Sequence, residues 1–159
     1  MNGLRRIADE VTCITKANQI ILNYPKHKVE KNKVNLHYYH SEWQDGAECN
    51  LGDYLSEVIV KTLCDKNGIR WRKSTAQTKH LYCVGSILQM GYQDATIWGT
   101  GFAFELSKIR GFPHKIRKLD IRCVRGPKTR KTLMRLGFEC SENYGDAVIL
   151  MPTLYKPQK

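Results

Sequence analysis

Leu119-Asp120-Ile121-Arg122-Cys123-Val124-Arg125-Gly126-Pro127-Lys128-Thr129-Arg130-Lys131-Thr132-Leu133-Met134-Arg135-Leu136-Gly137 reads as a strand, a sharp turn and a helix. Leu119, Ile121 and Cys123 alternate with Asp120 and Arg122, the period of a strand, and Val124 would complete it. Arg125-Gly126 makes the turn. Pro127 suits the first helical position, where φ is already helical and no N–H is lost. Leu133, Met134 and Leu136 supply an apolar stripe, and Gly137 is a stop just past the end. An arginine on a turn, a new helix N-terminus and further cations are the parts of an anion site. The competing reading is a solvated basic surface.

The segments around this unit repeat its logic. Val34 to Tyr39 is a strand candidate. Asn50-Leu51-Gly52-Asp53 opens a helix in which Leu55, Val58, Ile59 and Leu63 share one face, with Asp53 placed as its N-cap. Asn67-Gly68 stops it. Ile69 to Arg72 reads as a short edge strand, and Leu81 to Val84 as a buried one. Gly85-Ser86 turns into a short helix. Ala95 to Trp98 is a further strand, ending at Gly99-Thr100-Gly101. Phe138 to Ser141 is a short strand or extended segment, and Tyr144-Gly145-Asp146 leads into the apolar run Ala147 to Met151. The order β-α-β-(α)-β-β-α-β argues for an α/β fold with a parallel sheet flanked by helices. Ligands of such sheets gather at the carboxyl ends of the strands. Gly52-Asp53, Gly85-Ser86, Gly99-Thr100-Gly101 and Arg125-Gly126 would then share one rim. A dinucleotide fingerprint is excluded there, because Phe104 stands where its third glycine belongs.

The 159 residues carry 26 Lys/Arg against 15 Asp/Glu, a net charge of +11. Eleven of those cations and a single acid, Asp120, fall between Lys108 and Arg135. That asymmetry calls for an anionic partner. The window lacks interleaved aromatic residues between Lys115 and Arg135, which argues against base stacking, so no nucleic-acid partner is expected. Leu4 to Leu22 has helical periodicity, followed by a basic linker to Lys33. This segment packs on the domain edge or, as the lesser reading, makes a peripheral contact with an anionic membrane face. The six cysteines form no Cys-x-x-Cys pair and no zinc spacing. They read as reduced packing residues of a cytoplasmic protein, with no metal expected.

Five pieces in register resemble the polysaccharide pyruvyl transferase family. They are Asn50-Leu51-Gly52-Asp53 before a helix, Val84-Gly85-Ser86-Ile87-Leu88, Ile97-Trp98-Gly99-Thr100-Gly101-Phe102, Val124-Arg125-Gly126-Pro127-Lys128-Thr129, and Tyr144-Gly145-Asp146 with its apolar run to Pro152. The resemblance spans about Val34 to Tyr155, leaving residues 1–33 as a helix plus linker and 156–159 as a tail. It implies a Rossmann-like sheet similar to the N-terminal domain of the two-domain glycosyltransferase-B arrangement. It implies transfer of a pyruvyl group from phosphoenolpyruvate to a capsular, exopolysaccharide or cell-wall glycan, with a free or lipid-linked saccharide as acceptor. The place of action would be the cytoplasm or the inner face of its membrane, and no cofactor beyond the donor substrate would be needed. The family frequently has Gly-Asp-Pro where this chain has Gly145-Asp146-Ala147. The chain also stops near Tyr155, where a second domain is expected in the family. The expectation is therefore an N-terminal half whose partner domain or subunit completes catalysis. The alternative is a non-catalytic subunit partnering a full-length transferase.

From the residues, Arg125 is a fixed-charge partner for a phosphate or a carboxylate, and Thr129 and Ser86 could add hydroxyl bonds. Asn50, Gly52, Gly99, Thr100, Gly101 and Gly126 complete the expected substrate contacts. Asp53 and Asp146 are the carboxylates available to orient or deprotonate an acceptor hydroxyl. Each could instead serve as a cap, and Arg125 could pair with Asp146 as a structural clamp.

Overall fold

The computed structural model describes residues 32–38, 51–75, 78–89, 93–103 and 117–156. The expected helix over Leu4 to Leu22, the linker up to Lys31, Asn50 and residues 157–159 of the tail lie outside the described residues.

Five parallel strands form one sheet: β1 (Lys33–His37), β2 (Arg70–Lys73), β3 (His80–Tyr82), β4 (Ala95–Trp98) and β5 (Leu119–Cys123), in the order β2-β1-β3-β4-β5. Helix α1 (Leu51–Lys66) joins β1 to β2, and α2 (Pro127–Arg135) follows β5. A 3-10 turn (Ala147–Leu150) and α3 (Met151–Leu154) close the described chain. Strand order reverses between β1 and β3, and the crevice at such a switch point is where open α/β sheets place ligands.

Each helix buries one face of the sheet. Leu36, Ile59, Val60, Cys64, Cys83, Val84 and Ala147 pack together on the α1 side. Tyr82, Ile87, Leu88, Ala95, Ile97, Val124, Leu133 and Leu136 form the core on the α2 side. The strand period explains the partition: Leu36 faces α1, while its neighbour His37 faces the other way, against His80 and Tyr82. Each fully buried Leu or Ile contributes roughly 1.5–3 kcal/mol.

The helix ends follow their sequence signals. Gly68, at φ +63°, takes the chain out of α1. Past α2, Gly137 at φ +91° donates to the Met134 carbonyl and Phe138 to that of Leu133, a paired closure with Phe138 packed against the core.

Several expectations are corrected. Helix α1 begins at Leu51, so Asp53 lies inside its first turn and is not the N-cap. The buried strand stops at Tyr82, with Cys83 and Val84 already past its end. Over the described residues 86–89 no helix forms; Ile87 instead makes an antiparallel bridge with Phe102. The segment Phe138 to Ser141 joins no sheet, and Val124 bridges Tyr144 beyond it. The short edge strand expected over Ile69 to Arg72 does form, as β2 (Arg70–Lys73) at one edge of the sheet. The apolar run from Ala147 is helical because the Asp146 side chain accepts from the Val148 N–H and starts a 3-10 turn.

Candidate functional site

The carboxyl ends of β3, β4 and β5 are laced into one bed by hydrogen bonds. The Gly85 carbonyl accepts from the Gly101 N–H at 3.1 Å and from the Thr100 hydroxyl at 2.8 Å. Leu88 N–H donates to the Gly101 carbonyl, and Arg125 N–H to that of Thr100, each at 3.1 Å. Gln89 spans the two turns, donating to the Ser86 carbonyl and accepting from Ala103 N–H. The turn residues that carry expected ligand contacts are thus held by backbone as well as by side chains.

Arg125 lies on this bed. Its guanidinium donates to the Ser86 hydroxyl, 39 positions earlier in the chain. It packs on Gly101 so closely that a Cβ there would meet Nε at 3.1 Å and Cζ at 3.3 Å. The Thr129 hydroxyl would meet the same Cβ at 2.8 Å. Thr129 is only 5 % exposed, and its hydroxyl faces this glycine. The Arg125 guanidinium and the Thr129 hydroxyl, in the opening turn of α2, therefore meet at Gly101, and the Ser86 hydroxyl joins them through its bond from Arg125. That set suits a phosphate or a carboxylate, since the guanidinium is planar and permanently charged and the helix opening adds partial positive charge.

Asp53 reaches the same turn from α1. Its Oδ1 lies 2.8 Å from where a Gly85 Cβ would sit, and Gly85 has φ +93°, so both space and backbone call for glycine. Ser56 of the same helix clamps the approach, donating to the Val84 carbonyl and accepting from its N–H. Asp53 is 8 % exposed and makes no hydrogen bond or ion pair through its carboxylate among the described residues. Burial raises its pKa above the ordinary carboxylate value.

Asp146 is placed differently. Its carboxylate caps the 3-10 turn at 3.1 Å from Val148 N and makes no ion pair with Arg125, so the clamp reading does not describe this structure. The turn holding it abuts β4: a Cβ on Gly99 would meet Ala147 N at 2.9 Å and Gly145 O at 3.1 Å. Gly126 adopts extended backbone with open space where a Cβ would go, so nothing there requires glycine. Gly52 lies in the first turn of α1.

The four described cysteines are free, and burial pushes their thiols up, that of Cys83 to about 12 with the Asp146 charge adding to it. They are held as thiols and are poor nucleophiles. Among the described residues no group of three or more His, Cys, Asp or Glu could hold a metal ion, and no helix is long and apolar enough to cross a membrane.

One polar cluster escaped the sequence reading. On the α2 face His37 stacks on His80 at 4.7 Å, beside Tyr82 and the buried Arg117. The His80 Nε2 contacts the Thr75 carbonyl at 3.0 Å, so that nitrogen carries a proton. Its Nδ1 lies 3.4 Å from the Tyr82 hydroxyl, which Arg117 also hydrogen-bonds. The available signal was the register of alternate residues: His80 and Tyr82 must share a face of β3, and His37 faces away from the apolar Leu36.

No protein-family model matches the chain, and no curated protein or solved structure shows significant similarity to it.

Proposed function

We propose that this chain is the N-terminal half of a pyruvyl transferase, in which Arg125, Thr129 and Ser86 form one wall of the phosphoenolpyruvate site for transfer to a glycan hydroxyl, and a partner domain or subunit supplies the facing wall with further cations. The observation that carries the reading is the meeting of Arg125 and Thr129 on Gly101, with Ser86 bonded to the Arg125 guanidinium and the Asp53 carboxylate against Gly85. The five sequence pieces that resemble the pyruvyl transferase family support it independently of that geometry.

The chemistry asks for what this rim offers. Phosphoenolpyruvate bears a phosphate and a carboxylate, and Arg125 pairs with one of them through a charge-assisted bond. A general acid, expected from the partner domain or subunit, protonates the methylene carbon and makes the adjacent carbon electrophilic. An acceptor hydroxyl attacks that carbon and returns its proton to the acid; a second hydroxyl then displaces phosphate, its proton leaving with the phosphate, and a ketal results. Asp53, against Gly85 on the same rim, is the carboxyl group placed to orient the attacking hydroxyl by hydrogen bonding. Asp146 orders the 3-10 turn beside Gly99 and acts by holding the rim in shape.

The test is calorimetric titration of the chain with phosphoenolpyruvate. Arg125→Ala should weaken binding about 10-fold to 100-fold, the worth of one or two hydrogen bonds to a charged group. Arg125→Lys should recover only part of it, because an ammonium lacks the planar fork. Equal binding by the wild type and Arg125→Ala, or no binding by the wild type, would overturn the assignment.

A further inference from the structure

Asp53 and Arg125 carry opposite charges to one dipeptide, Gly85-Ser86, and do not meet. Asp53 presses on the Gly85 backbone from α1, and Arg125 bonds the Ser86 hydroxyl from the end of β5. No ion pair joins them, although both lie on the same turn and α1 docks tightly there through Ser56. Asp53 as a residue is 8 % exposed, and its carboxylate makes no hydrogen bond to another described residue. An anion seated on Arg125 would thus share one turn with a negative charge that no described cation pairs.

We propose that anion binding at this rim is coupled to protonation of Asp53: the site takes up one proton, onto an Asp53 carboxylate oxygen, for each dianion it binds. This rests on the reading of Arg125 as the anion-binding residue. The physical cause is repulsion in a poorly solvated setting. A bound dianion adds negative charge and excludes water, and both effects favour the neutral carboxyl. Once protonated, Asp53 changes from an acceptor into a hydrogen-bond donor that can face the anion. Burial already raises its pKa in the unliganded protein, so the proton is taken up nearer to neutrality than for an exposed aspartate.

Other charged groups on the packed elements do not substitute for it. Glu57 on α1 is held by the Tyr38 hydroxyl at 2.6 Å. Asp146, ahead of the 3-10 turn, is engaged with Val148 N. His37, at the end of β1, faces the opposite side of the sheet from α1, with Lys73 and Arg117 as its charged neighbours. Arg125 stays cationic throughout.

The probe is sulfate, which keeps its charge across the accessible range, titrated into the full chain by calorimetry from about pH 8 to about pH 5. Wild-type affinity should rise on acidification, approaching about tenfold per pH unit where the bound form is protonated and the free form is not. Titrations in buffers of different ionisation enthalpy should report proton uptake approaching one per sulfate. Asp53→Asn should lose the pH slope and bind sulfate at least as tightly as the wild type at the alkaline end, which a merely structural aspartate would not do. If Arg125→Ala abolishes sulfate binding but the wild type binds it without proton uptake, the coupling is wrong and the anion site stands. Failure of the wild type to bind sulfate, or binding unaffected by Arg125→Ala, overturns the site itself and the coupling with it. The buffer comparison uses the wild type alone, so it decides the matter even if Asp53→Asn does not fold.

Discussion

Gly101 shows how one missing side chain organises the rim. Its backbone is floor to both the Arg125 guanidinium and the Thr129 hydroxyl, and a methyl group there would lie within 2.8 Å of the latter. Gly101→Ala should therefore lift Arg125 off its seat without exposing new apolar surface. Anion affinity should fall about tenfold, near the worth of one hydrogen bond to a charged group, while thermal stability changes little. Gly99 behaves otherwise. It has φ +94°, and a Cβ would collide with the backbone of Gly145 and Ala147, which cannot swing aside as a side chain can. Gly99→Ala should cost about 2 kcal/mol or more in stability, read as a lowered urea midpoint. Together the two alanines separate a glycine kept for the site from one kept for the fold. A large stability loss at Gly101 with unchanged anion affinity would reverse that distinction.

At the scale of elements, the connection from β2 to β3 carries a pH dependence. Residues 74–79 lead from one flank of β1 to the other. They are tied down where they are described: Ser74 N–H donates to the Leu36 carbonyl at 2.7 Å, the Ser74 hydroxyl meets His37 Nδ1 at 3.2 Å, and His80 Nε2 meets the Thr75 carbonyl. Burial first, then the charges of His80, Lys73 and Arg117, lower the His37 pKa from 6.5 to about 4. The sign follows from linkage. The unfolded chain binds a proton at His37 that the folded chain refuses, so the stability contribution is complete above pH 6.5 and is lost as pH falls toward about 4. His37→Gln should flatten that acid limb in denaturation experiments at successive pH values. An unaltered limb would show that other groups govern it. Legibility at this scale tracks how local the cause is. Helix α2 and its Gly137 stop were readable because capping and periodicity lie within one segment. Strand Arg70–Lys73 was readable only as an edge, since its charged residues suit that position. The run from Ala147 was ambiguous because a short apolar stretch has no diagnostic period, and a cap bond from Asp146 decided it. The Arg125–Ser86 contact and the His37–His80 stack join residues far apart in sequence, and no local pattern announces such pairings.

Across the whole molecule, one sheet serves two cores. Ile59 is fully buried on the α1 face, and Ile97 is fully buried on the α2 face. Strand alternation sends neighbouring side chains to opposite faces, so neither core can be dismantled without loosening strands that the other needs. The same strands set the rim: β3 delivers Gly85 to Asp53, and β4 delivers Gly101 to Arg125. Ile59→Val and Ile97→Val should each cost about 0.5–1.5 kcal/mol, the usual consequence of removing one buried methyl group. Their side chains belong to separate clusters, so the double variant should lose the sum of the two within about 0.5 kcal/mol. Unfolding should remain a single transition with an unchanged urea slope, because the unit that melts is the shared sheet. A biphasic curve for either variant would mean that the α1 face and the α2 face unfold separately. Asp53 on α1 and Arg125 at the end of β5 would then be held to one turn by contacts weaker than those within each layer.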